Sequence, residues 1–175
     1  MKCSPIPPET IVAVDPALRA AGYAVLSRQN QKLSCSAFGV IRNGAKMQAS
    51  GCLLALHEQL TDIIWKHEPQ AMAVEGVIYV QSYQTAITLG AARGAVILAA
   101  VRRGLPVHEY APRRVKQAVV GRGAADKRQV AFMVRVLLGM RLTPPADAAD
   151  AIAIGITHFQ ALDAARARKT NLSTI

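Results

Sequence analysis

Short runs of consecutive apolar residues alternate along the chain with longer segments in which apolar residues recur every three or four positions. The short runs predict five strands, near residues 11–16, 22–28, 33–41, 71–77 and 106–110. The first two are close enough to form a hairpin, and the turn-like RQNQ precedes the third, which favours antiparallel pairing. The run at 71–77 is apolar except for Glu75, and it predicts a buried parallel strand.

The segments with helical periodicity predict five helices, at residues 47–67, about 83–103, about 112–120, from near 126 to 139, and from 144 to about 167. Three antiparallel strands followed by alternating strands and helices indicate an α/β fold. We expect a five-stranded mixed sheet, with three antiparallel and two parallel strands, flanked by helices on both faces. Residues 1–10 are predicted to be a disordered leader, 11–167 a single domain and 168–175 a frayed tail.

Composition and charge favour a nucleic-acid partner. The chain has 175 residues, of which 51% are hydrophobic, so it can bury a sizeable core. Its net charge of +10 favours a polyanion, with nucleic acid first and an anionic membrane surface second. The stretch 71–92 carries one charge, but glutamine, serine and threonine recur through it, unlike a membrane span. Three cysteines without a CxxC pair and an N-terminus without a signal peptide indicate the cytoplasm.

Four of the eleven acidic residues occur in surroundings where a solvated surface charge is not expected: Asp15, Glu75, Asp147 and Asp150. The first two fall at or within apolar strands. The other two are three residues apart in the first turns of a helix, and so share one face. Taken alone, Asp147 is equally compatible with a helix cap or first-turn acid. If the first and fourth strands are neighbours, all four carboxylates converge.

Converging carboxylates need a compensating cation, because like charges otherwise raise their pKa values. All-oxygen ligands suit Mg²⁺ or Mn²⁺ rather than zinc. Four carboxylates suffice for two ions about 3.5–4 Å apart, the arrangement used for in-line attack on phosphodiesters. We do not expect catalysis from any of the four histidines.

Basic residues are concentrated between 93 and 141, a segment that supplies nine of the ten net positive charges. Several of them surround the glycine-containing loop 121–123, where they predict phosphate contacts: Arg113, Arg114, Lys116, Arg122, Lys127 and Arg128. Solvated helix faces are the simpler interpretation for Arg102, Arg103, Arg135 and Arg141. Carboxylates for a metal beside a basic strip are typical of a metal-dependent nuclease.

The motifs VDPALRAAGYAV, AVEGV, LGAARGAVILAAV, PVHEYAPRRVKQAVVGRGAADKRQV and PPADAADAIAIGITH occur in this order between Ile11 and Phe159. In this combination the chain resembles the RuvC family of Holliday-junction resolvases, which have an RNase H-like fold. The resemblance implies catalytic metal-binding roles for Asp15, Glu75, Asp147 and Asp150. It implies roles in DNA contact or transition-state charge for Lys116 and Lys127.

The resemblance also implies a homodimer that cuts four-way DNA symmetrically and works with a RuvA–RuvB branch-migration complex. It implies ligatable nicks with 5′-phosphate ends. The helix with Gly90 and Gly94 is the expected dimer element, and packing on the sheet is its other interpretation.

The chain departs from the family pattern at Ala17, where glycine is usual, at Ser82, where asparagine is usual, and at Ile78, where an aromatic residue is usual. Tyr79 or Tyr83 is then the candidate for stacking on DNA. Three alternatives remain: another RNase H-like nuclease with a different substrate, an actin-like ATPase-fold phosphotransferase, and a basic binding protein with a decayed site.

Overall fold

The protein forms five strands and five helices in a computed structural model that describes residues 9–77 and 82–175. The elements follow one another as β1 (Glu9–Asp15), β2 (Ala20–Gln29), β3 (Lys32–Arg42), α1 (Ala49–His67), β4 (Ala71–Glu75), α2 (Tyr83–Val101), β5 (Val107–Tyr110), α3 (Pro112–Val120), α4 (Lys127–Leu137) and α5 (Ala146–Arg168). Each predicted strand and helix is present, with ends that differ by a few residues.

The strands form one mixed sheet in the order β3-β2-β1-β4-β5. β1 pairs antiparallel with β2, and β2 with β3, whereas β1 and β4, and β4 and β5, pair in parallel. The predicted mixture of antiparallel and parallel strands is therefore confirmed. β1 is a central strand with β4 directly beside it.

Alternation along β1 sends side chains to two hydrophobic cores. Ile11 and Ala13 contribute to the core under α3, α4 and α5, whereas Val12 and Val14 contribute to the core under α1 and α2. Residues of β1 are buried on both faces, which explains why its sequence is an apolar run rather than an alternating one. Helices cover both faces of the sheet, as predicted.

α5 lies close against the sheet because its inner face is made of small residues. An added Cβ at Gly155 would lie 2.5 Å from Leu26 Cδ1, so the helix backbone is in near contact with a β2 side chain. Most of the helix from Ala148 to Phe159 is buried. This close approach fixes the height and rotation of α5, and with it the side chains of its first turns.

β1 begins earlier than the predicted leader allowed, since Glu9 and Thr10 belong to the strand. Glu9 forms ion pairs with Arg28 and Arg166, and the Thr10 backbone N–H donates to the side-chain oxygen of Gln70. These polar partners hold the first two residues of β1 in the strand, although the residue types there do not predict a strand. Residues 1–8 lie outside the described part of the chain.

Two of the C-terminal residues form hydrogen bonds with β5. The His108 ring donates from Nδ1 to the Ser173 carbonyl at 2.8 Å, and the Ile175 N–H donates to the Val107 carbonyl at 3.1 Å. Behind them, His158 Nδ1 and the Tyr110 hydroxyl are 2.9 Å apart. Burial lowers the pKa of His158 to about 4, so this ring is neutral and its Nδ1 can accept a hydrogen bond from the Tyr110 hydroxyl.

Among the described residues, α2 alone has the length and apolar composition that crossing a membrane requires. One such helix is weak evidence, because a core helix meets the same requirement. Its inner face packs in the core through Ala92, Val96 and Ala99, and its outer face leaves Ile87 and Leu98 about half exposed.

Candidate active site

Asp15 and Glu75 are the last residues of the neighbouring parallel strands β1 and β4. Val14 is in register with Val74, so the two carboxylates leave the sheet side by side at one edge. Both side chains are partly buried. The adjacency on which the predicted convergence depended is therefore present.

The N-terminus of α5 brings the other two acids to the same edge. Asp15 is paired across β1 and β2 with Gly22, and the backbone of α5 passes directly over that glycine. A Cβ at Gly22 would lie 1.9 Å from the Asp147 carbonyl oxygen. Because only glycine leaves room there, α5 begins next to Asp15, with Asp147 in its first turn and Asp150 one turn later.

Burial, with a smaller contribution from neighbouring carboxylates, raises the pKa values of three acids at this edge. Burial raises the pKa of Asp15 to about 6, with a further contribution from the charge of Asp150. Burial raises the pKa of Glu75 to about 7, with further contributions from Asp15 and Asp150. The pKa of Asp150 is also raised, chiefly by burial. The side chains of the protein thus leave the negative charge at this edge incompletely compensated.

Two lysines supply the compensation that is present. Lys127 Nζ lies 3.3 Å from Asp150 Oδ2, and this pairing raises the pKa of Lys127. Lys127 is the first residue of α4, whose N-terminus is fixed by a reciprocal capping interaction between Asp126 and Gln129. Lys116 reaches the same cavity from α3.

Two adjoining cavities meet at the acidic cluster. The smaller, of ≈ 230 Å³, is lined by residues that include Asp15, Glu75, Asp150 and the two lysines. The larger, of ≈ 660 Å³, has Asp147 in its wall together with the β1–β2 turn and the first turns of α2. Leu89 lines both. The structure therefore brings Asp15, Glu75 and Asp150 into one cavity and places Asp147 in the wall of the next.

The carboxylate oxygens at this edge suit a hard divalent cation. Among the described residues, however, no three Asp, Glu, His or Cys side chains are close enough together to hold a metal ion as they stand. The Lys127 ammonium lies beside Asp150, where a cation would lie. Carboxylate oxygens are the ligands that Mg²⁺ and Mn²⁺ prefer. The raised pKa values of three acids are expected of a cation site in which no cation neutralises the carboxylates.

The predicted basic residues divide by location. Lys116 and Lys127 line the acidic cavity, whereas Arg122, within the 121–125 loop, and Arg128, at the start of α4, are exposed. Arg113 packs against this loop, since a Cβ at Gly123 would lie 2.5 Å from its Cγ.

Arg114 places its guanidinium carbon 5.4 Å from the Tyr110 ring centroid. Of the stacking candidates, Tyr79 lies outside the described residues, as does Ile78. Tyr83 is highly exposed at the start of α2.

Three contributions to the site were not predicted from the sequence. Gly22 falls within a predicted strand, and although an isolated glycine in a strand signals close backbone approach, the sequence does not identify the backbone that approaches it. Arg19 and Asn43, which hold the β1–β2 turn, carried no recognisable signal. Ala17, which stands where the family usually has glycine, does not adopt a left-handed backbone, so alanine is accommodated without strain there.

Comparison with known proteins gives consistent matches to one family. The family profile described as crossover junction endodeoxyribonuclease RuvC matches residues 11–158. A RuvC from Akkermansia muciniphila is 52% identical over 90% of this chain and 94% of its own. One from Teredinibacter turnerae is 44% identical over 85% and 86%, respectively.

Among solved structures, that of T. thermophilus RuvC in complex with Holliday junction substrate superposes with a TM-score of 0.83. It is 31% identical and covers 95% of this chain and 99% of its own. The yeast mitochondrial Holliday junction resolvase Ydc2, at 18% identity and a TM-score of 0.62, shares the fold. The chain belongs to the RuvC family of crossover junction endodeoxyribonucleases.

Proposed function

We propose that this protein resolves four-way DNA junctions by hydrolysing one phosphodiester bond in each of two opposed strands. The observation that carries the proposal is the convergence of three strand-end and helix-start carboxylates with two lysines in one cavity. Family membership specifies the substrate, because the RuvC of T. thermophilus is described in complex with Holliday junction substrate.

Asp15, Glu75, Asp147 and Asp150 are the residues that we assign as ligands of two Mg²⁺ ions, for which Mn²⁺ can substitute. When bound, such ions lower the pKa of a water and stabilise the charge of the pentavalent transition state. The four carboxylates must be ionised to act as ligands. The raised pKa values of Asp15 and Glu75 therefore predict that ion binding releases protons below about pH 7.

The lysines balance charge in two states. In the free protein Lys127 neutralises Asp150. On binding of DNA, we propose that Lys127 and Lys116 turn to the scissile phosphate, where an ammonium stabilises developing negative charge. Attack of water at phosphorus leaves a 5′ phosphate and a 3′ hydroxyl, so the nick is ligatable and no covalent intermediate with the protein forms.

The exposed arginines extend the electrostatic contact away from the cavity. We assign Arg113, Arg114, Arg122 and Arg128 to backbone phosphates on either side of the 121–125 loop. Tyr79 remains our proposal for stacking at the junction centre, with Tyr83 as the alternative. These contacts govern affinity and junction geometry rather than the chemical step.

Symmetric cutting requires two copies, and the outer face of α2 is the proposed homodimer element. Gly90 and Gly94 are exposed, with nothing within 4 Å of an added Cβ, and Ile87, Leu98 and Val101 are exposed along the same helix. A flat, partly apolar helix face of this kind allows close approach of a second copy. By family membership we also propose a RuvA–RuvB complex as partner and the cytoplasm as location.

The test is a cleavage assay with Mg²⁺ on four-way junction DNA, comparing wild type with Asp15→Asn and Glu75→Gln. The variants are expected to bind the junction and not cleave it, whereas Asp62→Asn, an exposed acid on α1, cleaves like wild type. Unchanged cleavage by Asp15→Asn would remove the basis of the metal-site assignment.

A substrate panel separates the proposal from its rivals. Flap, RNA–DNA hybrid and plain duplex are incubated with the wild-type protein beside the junction. Preferred cleavage of the junction is expected. Preferred cleavage of another substrate would assign the same chemistry to a different RNase H-like nuclease.

A further inference from the structure

The turn between β1 and β2 lies between two of the proposed ligands, Asp15 and Asp147. It begins after Asp15 and leads to Gly22, and the Asp147 peptide of α5 packs against the backbone of that glycine. Any shift of this turn therefore changes where Asp15 and Asp147 lie relative to each other. The position of the turn bears directly on the shape of the acidic site.

The β1–β2 turn lies between an open cavity and the loop that joins β3 to α1. The cavity, of ≈ 660 Å³, has residues 17–20 as part of its surface. Ala17, Leu18 and Ala20 are only partly buried, and of these Leu18 packs against the core under α1 and α2. Hydrogen bonds on the other side of the turn add to this contact.

On that other side, Asn43 holds the turn through both its backbone and its side chain. Its N–H donates to the Arg19 carbonyl at 3.0 Å, and Nδ2 donates to the Leu18 carbonyl at 2.7 Å. The same Nδ2 also donates to the Cys52 carbonyl at 3.1 Å. Asn43 thus ties the turn to the first turn of α1, which is anchored in the core.

Arg19 makes the reciprocal connection from the turn to the β3–α1 loop. Its NH1 nitrogen donates to the Gly44 carbonyl at 2.6 Å and to the Met47 carbonyl at 2.9 Å. The two side chains cross between the same two segments, so each carries contacts that the other does not. Removal of one leaves the turn held at one end only.

We propose that Asn43 and Arg19 are positioning residues that fix the separation of Asp15 and Asp147 by clamping the β1–β2 turn. The proposal rests on the metal-dependent function assigned above. Neither side chain contacts the acids, so their effect passes through the turn backbone. A displacement of about 1 Å in a catalytic arrangement costs as much as about a hundredfold in rate.

The informative substitution is Asn43→Asp, which keeps size and shape but replaces the donor with an oxygen facing the carbonyls of Leu18 and Cys52. We expect the cleavage rate at saturating junction to fall about 10- to 100-fold. We expect the Mg²⁺ concentration for half-maximal rate to rise several-fold, while junction affinity in EDTA stays within about twofold. Asn43→Ser, which retains one hydroxyl donor, is expected to recover part of the rate.

Arg19→Lys separates clamping from phosphate binding, because lysine keeps the positive charge but has no guanidinium to share among the loop carbonyls. It is expected to reproduce the Mg²⁺ effect in milder form. Matched controls are Asn171→Asp and Arg141→Lys, two exposed residues of the same types away from the turn. Both controls are expected to match wild type.

A second readout does not depend on cleavage. Mn²⁺ binding to the free protein, followed by electron paramagnetic resonance, is expected to weaken in Asn43→Asp and to be unchanged in Asn171→Asp. Amide hydrogen exchange is expected to accelerate at residues 17–20. Both are measured well below the melting temperature of each variant, so that partial unfolding does not contribute.

The clamp would be overturned if Asn43→Asp and Arg19→Lys both matched the wild type in Mg²⁺ dependence, Mn²⁺ affinity and amide exchange rates. Lower melting temperatures with unchanged Mg²⁺ and Mn²⁺ affinity would assign these residues to stability alone, which also overturns it. Failure of the proposed function looks different, because then the wild-type protein itself does not cleave the junction or Asp15→Asn still does.

Discussion

Replacement of Asp15 with asparagine is expected to abolish cleavage and, in the absence of metal, to stabilise the fold. The pKa of this carboxyl is raised from its ordinary value of 3.8 to about 6 by burial and by the charge of Asp150. Between these two pH values the native state binds more protons than the unfolded state. The free energy of unfolding therefore decreases as the pH rises through this window, and the loss is complete above about pH 6.

The size of the effect follows from the shift. About two pKa units correspond to about 3 kcal/mol at neutral pH. Partial solvent exposure and sharing of protons with Glu75 and Asp150 reduce it, so we expect about 1–3 kcal/mol of stabilisation in Asp15→Asn at pH 8. For a chain of this length each kcal/mol raises the melting temperature by about 2–4 °C.

The assay is urea or thermal denaturation in EDTA between pH 4 and pH 8. The advantage of Asp15→Asn is expected to be largest at pH 8, to shrink below about pH 6 and to vanish near pH 4. Added Mg²⁺ is expected to reverse the order, since a ligand at a hundredfold excess over its Kd stabilises the wild type by about 2.7 kcal/mol. Asp62→Asn, the exposed control, is expected to show no pH-dependent difference.

Two results would refute this reasoning. One is an asparagine variant that is less stable than wild type in EDTA at pH 8. The other is a stability difference that is the same at pH 4 and pH 8. Either would mean that Asp15 is not held at a desolvated, like-charged site.

Three further predictions test other parts of the site and fold. Lys127→Ala removes the partner of Asp150, and is expected to reduce cleavage about 10- to 100-fold and to flatten the salt dependence of junction binding, whereas Arg135→Ala leaves cleavage unchanged. Gly22→Ala forces a Cβ into the Asp147 carbonyl, and it is expected to lower the free energy of unfolding in urea by about 1–3 kcal/mol and to abolish cleavage. Gly44→Ala, with open space around it, is the control, and equal behaviour of the two variants would contradict the close contact. His108→Leu removes the bond to Ser173 and is expected to lower the melting temperature by about 2–4 °C and to speed amide exchange at residue 175, and unchanged exchange there would mean that the tail is held by other contacts.

The acidic residues were predictable because their surroundings contradict their charge. Asp15 and Glu75 end runs of buried residues, and Asp147 and Asp150 lie among alanines and isoleucines of a helix that is mostly buried between Ala148 and Phe159. Convergence was conditional on β1 and β4 being neighbours. That adjacency depends on the order of strands in the sheet, which no local pattern encodes.

Other features depend on contacts between distant segments. Gly22 must be glycine because of Asp147, which is far away in sequence, and the roles of Asn43 and Arg19 depend on where the β3–α1 loop comes to lie. Charge alone did not separate the lysines from the arginines around residues 121–123. The family resemblance singled out Lys116 and Lys127, and the structure places both in the acidic cavity.

Polar residues at the ends of the domain have specific partners that the sequence does not reveal. Glu9 and Thr10 look like leader residues until Arg28, Arg166 and Gln70 are found beside them. The tail looks unstructured until β5 supplies His108 and a free carbonyl at Val107. Sequence periodicity detects cores and amphipathic faces, and a strand end or tail held by a few hydrogen bonds has neither.

The division of the acids between the two ends of the chain has a consequence for synthesis. Asp15 and Glu75 emerge from the ribosome before Asp147 and Asp150, which arrive only with α5. A nascent chain that lacks α5 therefore holds half of the acids and cannot assemble the proposed site. A chain truncated before Ala146 is expected to have no nuclease activity.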